Sequence, residues 1–139
     1  MDVYIGLHRN EFAHKEGTSI DNGFPLVEFL PHEREKSLLN QIGELLNLQG
    51  SSRPIVIPNI ELMIPIQKAG PVLKALEQIE KDFKVKIIIT TSLPWFCWGG
   101  GKIIYCGDKE IVDETTINRI KHGTILDAFG TNLLTEEMS

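Results

Sequence analysis

The chain changes its apolar period several times, and each change predicts an element. Val3-Tyr4-Ile5-Gly6-Leu7 is rich in β-forming residues and predicts a first strand. Leu26-Val27-Glu28-Phe29-Leu30, set between Pro25 and Pro31, predicts a second. Between them the stretch from about Arg9 to Phe24 is polar and punctuated by Gly17 and Gly23, the pattern of a long loop. Loops of that length inside a compact domain are more often functional than ordinary connections are, so it marks a candidate wall of a binding site.

Leu38, Leu39, Ile42, Leu45 and Leu46 fall on one helical face and predict a helix from about Glu33 to Leu48, ended by Gly50. Ile55-Val56-Ile57 and Ile60 to Ile64 are strand-like but are interrupted by Pro58-Asn59. Proline cannot donate to a ladder, so the pattern predicts an edge strand, a bulge or two short strands. Pro71 suits the first turn of a second helix carrying Val72, Leu73, Leu76, Ile79 and Phe83. Val85 to Thr91, with its run Ile87-Ile88-Ile89, reads as a central strand covered on both faces. Lys102 to Cys106 predicts a strand joined to it by the loop Ser92 to Gly101, as a hairpin that brings Cys97 and Cys106 onto facing arms. Asp113 as N-cap, Ile117 and Ile120 as stripe and Lys121-His122-Gly123 as end predict a third helix.

The order β-β-α-β-α-β-β-α predicts an α/β fold of the α+β type, a mixed four- to five-stranded sheet with about three helices packed mainly on one face. One domain over residues 1–139 accommodates it, with a frayed polar tail over 130–139.

Composition narrows the function classes. A hydrophobic fraction of 42% and a charged fraction of 24% are those of an ordinary globular chain. No apolar run approaches the roughly 20 residues of a spanning helix, and Asp2 with the polar residues from His8 onward does not read as a signal peptide. The expected location is the cytoplasm, with reduced thiols. Nineteen acids against fourteen bases give a net charge of −5, which disfavours direct nucleic-acid binding. Residues 107–139 hold seven acids and three bases, so −4 of that −5 lies there.

The chemistry-bearing candidates are few. Trp95-Phe96-Cys97-Trp98-Gly99-Gly100-Gly101-Lys102 gathers both tryptophans beside three glycines. Aromatic loops of this kind fold back onto a core or anchor a protein interface. Amides freed by Gly99, Gly100 and Gly101 beside Lys102 offer an anion cradle, although the phosphate-loop spacing is absent. His8, His14, His32 and His122 show no metal spacing. His8 and His14 flank the long loop and would be the partners of a Cys97 nucleophile, for which no family signature is present. No catalytic residue, metal ligand or cofactor is therefore assigned. Asp108, Glu110, Asp113 and Glu114 form an acidic approach to the third helix, suited to a basic partner.

The profile of small size, net acidity and no catalytic signature is similar, in composition and in no motif, to bacterial toxin-neutralising immunity proteins. What that resemblance implies is a protein-binding module that neutralises or regulates a basic partner such as a nuclease toxin. Trp95, Trp98, Asp108, Glu110, Asp113 and Glu114 are its expected contact set. The alternatives are a small ligand-binding protein or enzyme using the Gly99 to Lys102 loop, and a homo-oligomer paired through an edge strand near Pro54 to Pro65.

Overall fold

Short runs of isoleucine and valine form the centre of a six-stranded sheet, β1 (Asp2–Ile5), β2 (Thr18–Ser19), β3 (Ile55–Ile57), β4 (Ile87–Thr90), β5 (Ile103–Tyr105) and β6 (Ile125–Asp127). Its spatial order is β2-β3-β4-β1-β5-β6. Among the described residues three α-helices accompany it, α1 (Arg9–Glu16), α2 (Pro31–Gln49) and α3 (Ala69–Phe83). This computed structural model describes residues 1–20, 31–64, 66–92, 102–106 and 125–127. Among them no helix is long and apolar enough to cross a membrane.

Every neighbouring pair is parallel, so the sheet is not the mixed one expected. The reason is visible in burial. All three residues of β3 and all four of β4 are buried, which requires cover on both faces, the usual condition of a parallel sheet. Odd positions such as Val3, Ile5, Ile55, Ile57, Ile87 and Ile89 pack with Leu38 and Ile42 of α2 and Val72, Leu73 and Leu76 of α3. Even positions Tyr4, Val56 and Ile88 face the other way, onto Ala13 and Phe12 of α1. The single handedness of parallel crossovers explains the split. From β1 the chain crosses three strand positions to β2, then returns through β3 to β4, and opposite directions of travel place the helices on opposite faces.

Five further expectations are corrected. The stretch after Arg9 is α1 followed by β2, held by pairing with β3 through Thr18↔Ile55 and Ser19↔Val56. Its junction is tight, because a Cβ on Gly17 would lie 2.4 Å from the Pro54 carbonyl oxygen. Ile60–Leu62 is a 3-10 turn rather than a strand, because Asn59 adopts the left-handed region at φ 47° and turns the chain out of the sheet. β3 lies between β2 and β4, so Ile55–Ile57 is an inner strand rather than the expected edge. β4 and β5 do not form a hairpin, since β1 lies between them and both are parallel to it. β6 lies where no strand is expected. The expected strand at 26–30, the helix at 113–123 and the tail at 130–139 lie outside the described residues.

Candidate functional site

A sheet whose strands all point one way has two chemically different edges. Open α/β sheets bind ligands at the carboxyl edge, where neighbouring strands send their connections to opposite faces. β1 is an inner strand whose connection leads from its carboxyl end to α1 on one face, while α2 and α3 pack on the other.

Local sequence builds this end directly. Gly6 follows β1 with φ 99°, a conformation that glycine adopts without strain. The turn closes with the Arg9 amide donating to the Gly6 carbonyl at 3.2 Å, and α1 starts at once. β5 is drawn in by the Cys106 amide donating to Ile5 O at 2.7 Å and the His8 amide donating to Cys106 O at 3.2 Å. The Thr91 amide donates to Tyr4 O at 3.1 Å from the β4 side.

A polar network spans the ends of β1, β3 and β4. Arg9 is buried, and its Nη1 donates to Gly6 O at 3.0 Å while its Nε donates to Asn59 Oδ1 at 3.2 Å. Asn10 Nδ2 donates to the same Asn59 oxygen at 3.1 Å. Thr90, wholly buried, accepts from the Asn59 amide at 2.7 Å and donates its hydroxyl to Asn10 Oδ1. Beside this network Glu61 Oε1 accepts from both the amide and the hydroxyl of Ser92, each at 2.9 Å. Its second oxygen, Oε2, is buried without a hydrogen-bond partner.

Two titratable groups lie on the α1 face of the same strands. Burial pushes the Cys106 thiol up to about 12, against a smaller lowering by the charge of Arg9. Burial likewise raises the Tyr4 phenol to about 12, with Glu16, Asp2 and Cys106 adding to it. A thiol held protonated in this way is no nucleophile at neutral pH. The Thr90 hydroxyl is spent on Asn10. Among the described residues this edge gathers the buried Arg9 guanidinium, the buried Thr90 hydroxyl and a Glu61 carboxylate oxygen with no hydrogen-bond partner.

The structure places Lys102, exposed, just before β5, where its carbonyl accepts from the Val3 amide at 2.9 Å. That is the amino edge, opposite the network. Trp95, Trp98, Gly99, Gly100, Gly101, Cys97, Asp108, Glu110, Asp113 and Glu114 lie outside the described residues. His8 pairs with Glu11 at 3.5 Å, and the Nδ1 of exposed His14 bonds the Ser19 hydroxyl. Among the described residues no group of three or more His, Cys, Asp or Glu is gathered to hold a metal ion. Arg9, Asn10, Asn59 and Thr90 were not singled out from sequence. The available signal was weak: Gly6 ending a β-rich run with an arginine three residues on.

Comparison of the chain with family models, with curated proteins and with solved structures found no match.

Proposed function

We propose that this protein binds a small anionic ligand at the carboxyl edge of its sheet, over the end of β1. The observation that carries the reading is Arg9, a guanidinium buried beside the turn that ends β1. A charge held away from bulk water attracts an anion more strongly than a solvated one. Phosphate and carboxylate match its planar donors. Asn59, after β3, accepts from the Arg9 Nε and also from Asn10 Nδ2 of α1.

Inorganic phosphate is the simplest probe. Titrated into isotope-labelled protein, it should shift amide resonances around Gly6 to Asn10, Asn59 to Glu61 and Thr91 to Ser92. At about 100 times its dissociation constant, phosphate should add about 2.7 kcal/mol of stability. Shifts confined to surface lysines such as Lys84, Lys86 and Lys102 would remove the edge from consideration.

A second reading keeps the acidic chain as a cytoplasmic module that neutralises a basic partner, plausibly a nuclease toxin. Its support is the charge of −5 and the concentration of acids in 107–139. Reversing Asp108, Glu110 and Asp113 to lysine should slow association with such a partner and weaken its salt dependence, because peripheral charges act mainly on the on-rate. Trp95 and Trp98 would be the anchors, each costing of the order of 2 kcal/mol of binding when truncated. Unchanged association across an ionic-strength series would exclude the patch.

A further inference from the structure

We draw no further inference here: the strongest candidate, the apolar surface that Leu39 and Leu48 leave exposed along α2, carries nothing, because nothing in the structure shows what covers it.

Discussion

The two edges of the sheet are made by the same strands and are held together differently. At the amino edge, polar contacts are ion pairs and main-chain contacts near solvent. Lys86, half exposed, meets Asp2 at 2.8 Å, Glu80 accepts from the Ile87 amide at 2.9 Å, and Arg53 reaches Gly17 O at 3.3 Å. At the carboxyl edge the polar groups are buried: Arg9 is 9% exposed and Thr90 and Thr91 are 0% exposed. The amino-edge contacts are made by side chains such as Lys86 that stay largely in water, while Arg9, Thr90 and Thr91 at the carboxyl edge are withdrawn from it. Interactions at the amino edge are therefore individually dispensable, and those at the carboxyl edge are coupled to folding.

The largest expected effect comes from alkaline pH. Cys106 and Tyr4 are raised to about 12 from their ordinary values of 9.0 and 10.0. In the unfolded chain they ionise at those ordinary values, so above pH 9 the unfolded state holds fewer protons than the folded one. Stability then falls as pH rises, up to about 12, and neither group contributes a slope below pH 9. Denaturant unfolding from pH 7 to 11 should show the decline, and Cys106→Ala combined with Tyr4→Phe should flatten it. An equally steep decline in the double variant would place its origin elsewhere.

Next in size is Thr90→Val. The shape is kept, but the Asn59 amide and the Asn10 side-chain oxygen lose their partner. At about 1–3 kcal/mol for an unsatisfied buried group, and with both groups only partly buried, the loss should be about 1–3 kcal/mol in chemical denaturation. A cost below 1 kcal/mol would mean that the network is no more demanding than the opposite edge. The smallest effect is expected there. Lys86→Ala breaks an ion pair whose lysine is 52% exposed, and should cost about 0–1 kcal/mol, less at high salt. A larger or salt-independent loss would erase the distinction between the edges.

How much of this was readable in sequence depends on whether an element carries its own apolar pattern. α2 and α3 present apolar stripes four residues deep and were expected close to their observed bounds. β1, β4 and β5 were legible as β-rich runs. α1 was not, because of its eight residues only Phe12 and Ala13 are apolar; tertiary contacts at both ends hold it. β2 is two polar residues that become a strand only by lying against β3. Parallel pairing itself was hidden, since Ile87-Ile88-Ile89 announces burial on both faces but not which strands flank it. The carboxyl-edge site was hidden for a related reason. Arg9, Asn59 and Thr90 are separated by 50 and 31 positions, so no local spacing joins them. Only the sheet order does.

That order also bears on synthesis. β1 sits at the centre of the sheet, yet its two partners are Ile87–Thr90 and Ile103–Tyr105. On the ribosome it therefore emerges long before either neighbour exists, and must wait with Val3, Tyr4 and Ile5 uncovered. Closing such distant pairs is slow, and waiting strands are open to wrong contacts. β2, β3 and the α2 and α3 layer can assemble around β4 first, leaving a slot that the earlier-made β1 fills last. A nascent chain stalled before Ile103 would lack one wall of that slot, and the Arg9 turn that follows β1 would form only as the slot closes.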